Sequence, residues 1–561
     1  SGSYQNILLS LMLLLGTGLA NAQQLPGTVT PGQIEKRFEK PVEPLSKPGA
    51  IVVPTTDGVQ APEGAENVKL TLQNILIKGV KVLEKETLAK TSKEYINKEI
   101  TLKDVYELAT KITRLYTDQG YLISRAIIPP QTIENEKITI QVIEGYVDEV
   151  VFENLPEDRA EMFQYYADKI KQSRPLKKAV LERYLLLAND VAGMQFKTVM
   201  KASADNFGAT TLTLSATHKP YQAALSLDNR GSESTGPWQL LLEGTANNAF
   251  GRLGATTLRY ATVPTDLDEL QYWQFYHEQM LNSEGLKLSF SLSTSQDEPD
   301  GDDYRALEIE SSSNVVELAL SYPWIRSREQ NLSFNSSLSY RDSETSTNDL
   351  GELLEVDADD ELTVFRLGLL YDQADAWAGG GVNLAALTLN QGLNFLGTDI
   401  NSEPDEGDFT SLNIQLRRKQ VISQHWTGDV RLGALFSSDN LPSAEKFGLG
   451  GESSVRGYDP SEWTGDKGVS AQFELAYVPE FETETETDVQ FYGFYDMGKV
   501  WRKTVSNNLS KTEHAHSAGL GTRIFFPAGV QLNFELANPS DKDSQGDSND
   551  WQLYGRLRVD L

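Results

Sequence analysis

The sequence contains no cysteine, and this absence removes several kinds of function at once. Without a thiol, the chain cannot form a disulfide, use a cysteine nucleophile or bind zinc through cysteine ligands. Proteins that pass through an oxidising periplasm gain from having no stray thiol to mispair. The missing cysteine therefore fits an exported bacterial protein, but it supports that class without identifying it.

Basic residues are scarce relative to acidic ones. The 561 residues include 50 Lys and Arg against 80 Asp and Glu, which gives a formal net charge of -30. A nucleic-acid-binding protein needs a basic face to neutralise phosphates, so we expect no nucleic-acid partner. The length is too great for one ordinary core, and we expect two or more domains.

Long apolar runs are also missing, with one short exception. No segment approaches the roughly 18 apolar residues that a membrane-spanning helix needs, so the chain can enter a membrane only as a β-barrel. The exception runs from Ile7 to Ala20 and ends in Ala20-Asn-Ala22. Its short length and small-residue ending are typical of a signal peptide, which we predict over residues 1–22.

Behind the predicted cleavage site, residues 23–39 contain a short amphipathic pattern. Ile34 and Phe38 lie four residues apart, so they share one face of a helix predicted over residues 31–39, and charged residues occupy the other face. Residues 40–67 are rich in proline and glycine, which predicts an extended linker. A helix on such a linker can bind far from its neighbour in sequence.

Two α+β units are predicted next, at residues 68–145 and 146–219. In the first, Thr101 and Asp104 form a near capping box, and apolar residues follow at helical spacing. The strands predicted in this unit are residues 70–77, 121–128 and 137–143. The second unit is predicted to have strands at 147–152, 195–202 and 210–217, and helices near 157–170 and 176–187. Their similar order indicates a tandem array.

Residues 220–561 contain no convincing helical pattern. They consist of runs that alternate between polar and apolar residues, and the clearest run is the last. Leu553 and Leu557 share one face there, while Arg556 and Arg558 share the other. Apolar-out, polar-in strands of about ten residues are typical of a transmembrane barrel, and about 21 residues per strand and connection gives about 16 antiparallel strands. We therefore predict a membrane β-barrel behind the two α+β units.

Short motifs accompany this organisation, and their order along the chain is informative. They are Gly120-Tyr121, Val142-Ile-Glu-Gly145, Leu181-Glu-Arg183, Asn189-Asp190, Leu227-Asp-Asn-Arg-Gly231, Tyr322-Pro-Trp-Ile-Arg-Ser327, Val455-Arg-Gly-Tyr458 and Phe494-x-Asp496-x-Gly498. With these motifs the chain resembles the TpsB outer-membrane transporters of two-partner secretion, within the superfamily that includes the BamA barrel-assembly proteins. The resemblance covers nearly all of the predicted mature chain. It implies that the α+β units are POTRA domains, and two of them favour a TpsB transporter, because BamA proteins typically carry more.

The resemblance also implies a long extracellular loop, residues 440–468, that folds back into the barrel. The residues at its tip are Val455, Arg456, Gly457 and Tyr458. Arg456 would pair with Asp496 on the barrel wall, with Glu474 as a candidate second acceptor. Phe494 and Gly498 have the same parity as Asp496 along their strand and therefore share its inward face.

Arginine suits the loop tip because its rigid, always charged fork can bind a carboxylate through two parallel hydrogen bonds, and lysine would be a poor substitute. In a pore filled with water and ions, we expect the Arg456–Asp496 pair to contribute only about 0–1 kcal/mol, like a surface pair, so that substrate could displace the loop. The pair either controls the loop or only stabilises the barrel wall. Charges inside barrels tend to tune transport, which favours control.

By resemblance, the chain is a pore that recognises an unfolded exoprotein through its POTRA domains and exports it across the outer membrane without ATP. The helix with Ile34 and Phe38 would be a removable plug. The partner would be a TpsA-type adhesin, haemolysin or contact-dependent toxin. The barrel would contact outer-membrane lipid and be inserted by the barrel-assembly machinery.

The alternative is a BamA-like factor that inserts other barrels. We expect the POTRA domains to lie in the periplasm and the barrel in the outer membrane of a Gram-negative cell. The sequence offers no nucleophile and base at a recognisable spacing, so we expect no catalytic residues, and we expect no cofactor or metal ion.

Overall fold

The computed structural model describes most of the chain. The described residues are 27–46, 59–133, 136–156, 159–250, 253–299, 309–347, 358–394, 397–400, 407–480, 487–503, 510–541 and 550–561. The predicted signal peptide at residues 1–22 lies outside the described residues, as does the middle of the predicted linker, residues 47–58.

The first described segment contains one short helix, α1, Pro31–Lys36. The predicted helix over residues 31–39 was therefore wrong at its C-terminal end. The backbone N–H groups of residues 38 and 39 bond carbonyls only three positions back, which is 3₁₀ rather than α geometry. Ile34 and Phe38 still share one buried face, as their spacing predicted.

Residues 68–145 form a small α+β unit with its own core. Its elements are β1 Lys69–Thr71, β2 Asn74–Lys78, α2 Lys85–Ser92, β3 Glu99–Thr101, α3 Leu102–Asp118, β4 Arg125–Ile127 and β5 Lys137–Ile143. Strand β5 pairs in parallel with β2 and antiparallel with β4. The prediction of one strand over residues 70–77 was wrong, because Leu72 interrupts it and turns into the core. Helix α3 begins with the predicted capping box of Thr101 and Asp104.

Residues 146–219 form a second α+β unit of related order. Its elements are β6 Tyr146–Glu153, α4 Ala160–Gln172, α5 Lys178–Asn189, β7 Met194–Ala202 and β8 Ala209–His218. Strand β8 lies between β6 and β7 and is parallel to β6. Both helices and all three strands lie close to their predicted positions. The helices pack Phe163, Tyr166 and Leu181 into the core of this unit.

The remaining chain closes into the predicted barrel of sixteen long antiparallel strands, in which the last strand pairs with the first. Its strands are β9 Tyr221–Asp228, β10 Gln239–Asn247, β11 Gly254–Thr262, β12 Leu270–Met280, β13 Lys287–Asp297, β14 Ile309–Arg326, β15 Gln330–Thr347, β16 Ala358–Asp375, β17 Gly381–Gly392, β19 Thr410–Val421, β20 Trp426–Ser437, β23 Lys467–Tyr477, β24 Asp488–Lys503, β25 Ser510–Phe526, β26 Val530–Pro539 and β27 Gln552–Asp560, with a two-residue strand, β18 Asp399–Ile400, beside β16. A small hairpin, β21 Phe447–Leu449 and β22 Trp463–Gly465, lies between β20 and β23. Strands β14 to β16 are 18 residues long, so the prediction of about ten residues per strand was too short for them.

Alternation along each strand separates the outer face of the barrel from its lumen. On β24, Phe491 and Tyr495 are exposed, whereas Phe494 and Asp496 are buried. Because neighbouring side chains point to opposite faces of a strand, the exposed aromatic residues face lipid and the buried ones face inward. Among the helices of the described residues, none is long and apolar enough to cross a membrane.

Candidate functional site

The chain between β20 and β23 folds back into the barrel as a hairpin loop, residues 438–466. Its tip reaches the inner wall, where Val455 is fully buried against Leu449 and Val500. Gly498 on β24 is needed at this contact, because a Cβ there would overlap the Leu449 side chain. Gly457 lies against Ala537 and Pro539 of β26. The resemblance had implied this return of the loop.

Arg456 at the loop tip binds Asp496 in a bidentate geometry. Its Nε and Nη2 donate to the two carboxylate oxygens at 2.7 and 2.8 Å, and its backbone N–H donates to Oδ2 at 3.1 Å. Nη1 donates to Glu474 at 3.1 Å and to Glu535 at 3.4 Å. The guanidinium also lies over the ring of Phe494, 3.7 Å from its centroid, which adds a cation–π contact. The predicted partners Asp496, Glu474 and Phe494 therefore meet at one arginine.

The expectation of a water-screened surface pair was wrong. Asp496 is 0 % exposed and Arg456 is 6 % exposed, because the returning loop covers both groups. Removing one partner of such a buried pair typically costs about 3–5 kcal/mol, since the other charge is left without compensation. Loss of the arginine alone should therefore destabilise the seated loop far more than loss of a surface pair would.

A second set of residues connects this arginine to the rest of the wall. Glu535 accepts from Arg230 at 3.1 Å and from the Tyr492 hydroxyl at 2.8 Å. Arg523 binds Glu474 through two hydrogen bonds of 2.6 and 2.9 Å. Sequence reasoning missed Glu535, Arg523 and Tyr492. For Glu535 and Arg523, a charged residue on the inward face of a predicted barrel strand was the available signal. Arg230 belongs to the Leu227–Gly231 motif, which this network ties to the loop tip.

Tyr458 fixes the other side of the loop tip. Its hydroxyl donates to the carbonyl of His516 at 3.0 Å and accepts from the backbone N–H of Asp541 at 2.9 Å. Its ring packs edge-on against Trp463, 5.1 Å between centroids. Within the described residues, no group of three or more His, Cys, Asp or Glu residues could hold a metal ion.

Helix α1 lies inside the barrel beside this loop. Phe38 stacks on Tyr272 with ring centroids 4.8 Å apart, and Ile34 packs in the same apolar cluster, which includes Val263. On the charged face, Glu35 forms a 2.7 Å ion pair with Arg341 of the wall. Both faces of the helix are therefore occupied by the barrel.

Helix α1 also bonds directly to the loop. The Gln33 amide donates to the carbonyls of Ser443 and Lys446 at 2.9 and 3.1 Å, and its oxygen accepts from Ser461 at 3.1 Å. Lys36 donates to the Lys446 carbonyl at 3.0 Å. One glutamine thus joins both limbs of the loop, so the helix and the loop support each other.

The second α+β unit is fastened to the periplasmic end of the barrel. Three residues of this unit, Tyr165, Arg183 and Tyr184, meet at the carboxylate of Glu284. These three and Glu284 are here called the periplasmic junction. The two hydroxyls donate to Glu284 at 2.7 and 3.0 Å, and Arg183 donates to its other oxygen at 3.0 Å. Nearby, Arg326 binds Asp190 with two hydrogen bonds of 2.7 and 2.8 Å. Arg183, Asp190 and Arg326 all come from motifs that carry the resemblance.

The charge of Glu284 is stabilised by this arrangement. Burial opposes the ionised form, but the hydrogen bonds from Tyr165, Arg183 and Tyr184 outweigh it and hold the pKa of Glu284 below its ordinary value. The bond to Glu284, together with burial, raises the pKa of Tyr165 to about 12, so its hydroxyl remains a donor. The junction is therefore fully formed at neutral pH.

Acid is expected to loosen the periplasmic junction. A carboxyl with a lowered pKa contributes stability above its ordinary range and loses it as the pH falls through the lowered pKa. The protection of residues 281–286 against hydrogen exchange, measured relative to the intrinsic exchange rate at each pH, should therefore be high at neutral pH and lower in strong acid. Glu284→Gln should lower this protection already at neutral pH and respond less to acid. Glu329→Gln is the control, since its pair with Lys178 is exposed and contributes little; equal behaviour of the two variants would contradict the prediction.

Comparison with known proteins agrees with this architecture. Residues 208–524 match the family described as haemolysin secretion/activation protein ShlB/FhaC/HecB, and residues 70–145 match the ShlB-type POTRA domain. The heme/hemopexin transporter protein HuxB of Haemophilus influenzae is 23% identical over 549 residues, covering 94% of each chain. The outer membrane transporter CdiB of Dickeya dadantii (strain 3937) is 25% identical over 513 residues, covering 84% of this chain and 87% of that protein.

Solved structures show the same fold. CdiB from Escherichia coli superimposes with a TM-score of 0.69 at 18% identity, covering 98% of this chain and 97% of that chain. BamA from Haemophilus ducreyi lacking POTRA domains 1-3 gives a TM-score of 0.52 at 14% identity, covering 88% of this chain and all of that chain. At these identities the likeness concerns the fold, and it covers the α+β units as well as the barrel in the first case.

Proposed function

The chain belongs to the haemolysin secretion/activation family ShlB/FhaC/HecB, the TpsB transporters of two-partner secretion in the outer membrane, and from this we propose that it exports one large protein captured unfolded in the periplasm. The observation that carries the proposal is the content of the lumen. Residues 27–46 and the returning loop occupy a barrel wide enough for an aqueous channel, and both are parts of the chain that can move without unfolding a strand. A permanent diffusion pore would not need such obstructions.

The POTRA units would receive the partner before it enters the barrel. Among the described residues, the edge strands of the three-stranded sheet are β2 and β4 in the first unit and β6 and β7 in the second. An extended chain can add to such an edge as a further strand, because backbone groups provide hydrogen bonds whatever the sequence. Leu76 on β2 is half-exposed and would contact a bound strand. We propose this capture step to need no ATP and no catalytic residue of the chain.

The partner would be a TpsA-type exoprotein, such as an adhesin, haemolysin or contact-dependent toxin. Relatives of this chain carry the names of hemolysin, heme/hemopexin and CdiB transporters, so the family serves several cargoes. Outer-membrane lipid and the barrel-assembly machinery complete the proposed partners.

Inactivating the gene tests the function directly. We expect the release of one exoprotein to stop while the levels of other outer-membrane proteins remain unchanged. Culture medium and outer membranes of the mutant and a complemented strain would be compared by quantitative proteomics. A general loss of barrel proteins, with the exoprotein lost only as one of many changes, would instead indicate a BamA-like assembly factor.

A further inference from the structure

Residues 40–46, here called the tether, run from helix α1 through the lumen to the periplasmic rim. Lys40 forms a 2.8 Å ion pair with Glu243. Further along, Glu43 contacts the wall, and the backbone N–H of Ser46 donates to Asp372 at 2.7 Å. Because Asp372 lies near the periplasmic end of β16, the tether follows the path of a chain crossing the barrel.

The wall binds the tether through charge and backbone rather than through apolar pockets. Glu43 accepts from Arg417 at 2.7 Å and pairs with Lys419 at 3.4 Å. The two apolar side chains of the tether, Val42 and Leu45, stay 37 % and 50 % exposed. The wall binds one carboxylate of the tether and leaves its apolar side chains in contact with solvent. Such a surface can bind segments of many different sequences, which suits a passage for a long exported chain.

Two basic groups of the wall share the carboxylate of the tether. A cavity of about 670 Å³ opens next to Pro41 and Glu43. On its wall, Arg417 pairs with both Glu43 and Asp429, and Lys419 pairs with Glu43. Departure of the tether removes the Glu43 carboxylate from both cations. The vacated place would therefore attract another carboxylate.

We propose that the wall segment holding the tether, with Arg417, Lys419 and Asp372 as its contact groups, is the docking track for an extended, acidic segment of the exported protein. This inference rests on the proposed function. The tether occupies the track at rest, and an incoming segment takes its place by presenting a carboxylate to Arg417 and Lys419. Asp372 then accepts a backbone N–H, as it does from Ser46.

Peptide binding tests the track without knowledge of the exported protein. The probe is a fluorescent peptide of residues 39–46, and the receptor is the full chain with Glu43→Gln, which weakens its own tether, in lipid nanodiscs. We expect the peptide to bind, and replacement of its glutamate by glutamine to weaken binding about tenfold. Lys419→Gln in the receptor should cost about threefold for the acidic peptide and nothing for the neutral one, because the two groups interact directly.

Arg558→Gln is the matched control, since Arg558 lines the same cavity and pairs with Asp560 rather than with the tether. It should leave peptide affinity and exoprotein release unchanged, whereas Lys419→Gln should slow release severalfold at equal barrel level. Two results would contradict the proposed docking track. One is a peptide affinity that changes neither when the peptide's glutamate is replaced nor when Lys419 is replaced. The other is normal exoprotein release from Lys419→Gln. If gene inactivation still stops release in that case, the proposed function stands and only the track is wrong.

Discussion

Replacing Arg456 by alanine is expected to reduce exoprotein release below about a tenth of the wild-type level while the barrel still inserts. The substitution leaves the buried carboxylate of Asp496 and its neighbours Glu474 and Glu535 without their shared cation. Breaking a buried pair in this way costs about 3–5 kcal/mol, and about 1.4 kcal/mol already changes a population tenfold. The loop tip would therefore leave the wall in most molecules. The measurements are release into the medium and the heat-modifiable mobility of the barrel.

Three companion variants separate the role of this arginine from general damage. Arg456→Lys keeps the charge but loses the two-pronged geometry, so its release should lie close to that of the alanine variant. Arg456→Ala combined with Asp496→Ala also removes the carboxylate that Arg456 binds through two hydrogen bonds, so it should recover part of the lost barrel stability without restoring release. Arg558→Ala is the control, because its pair with Asp560 is exposed on both sides. Normal release from Arg456→Ala at normal barrel level would take the loop tip out of the mechanism.

The sequence predicted most of the architecture because the architecture depends on local patterns. Polar and apolar residues alternate along a barrel strand because its two faces meet water and lipid. The number of strands, about 16, could therefore be predicted from the length of the alternating region. The helices of the second α+β unit were located by their spacing for the same reason. Helix α2 was not located, since it buries only Leu88 and Ser92 and shows little periodicity.

The candidate site could be predicted only in part, because its contacts join distant segments. Arg456, Asp496 and Glu474 were found through motifs, but their burial depends on how a loop folds back, and no local pattern carries that information. Glu535 lies 79 positions from Arg456 in sequence and has no motif around it. The pairing of Arg183 with Glu284 likewise arises only when the second α+β unit meets the barrel rim. The ion pairs between residues distant in sequence are therefore the main feature of the site that only the structure reveals.

Two elements inside the barrel hold each other in place. Gln33 of helix α1 bonds both limbs of the loop, and Arg456 holds the loop tip on the wall. Displacing the helix therefore removes hydrogen bonds from the loop, and freeing the loop removes support from the helix. Opening would then be cooperative, since neither element keeps all its partners when the other leaves.

Deleting residues 31–39 is accordingly expected to raise the single-channel conductance several-fold in planar bilayers. Residues 31–35 are all buried inside the barrel, so their removal opens volume that ions can use. Gly32→Val should have the same direction of effect without a deletion. A side chain at Gly32 would overlap Ala444 of the loop, so the helix could no longer pack there. Channel recordings at fixed voltage and salt give the measurement.

Gly244→Val is the matched control for the glycine substitution. Gly244 lies on β10, and a Cβ there would meet nothing within 4 Å, so valine should insert without displacing the helix. Its conductance should equal that of the wild type, while Gly32→Val opens longer or wider channels. If the deletion leaves the current trace unchanged, helix α1 does not block the pore, and the closure would have to come from the loop and Arg456 alone.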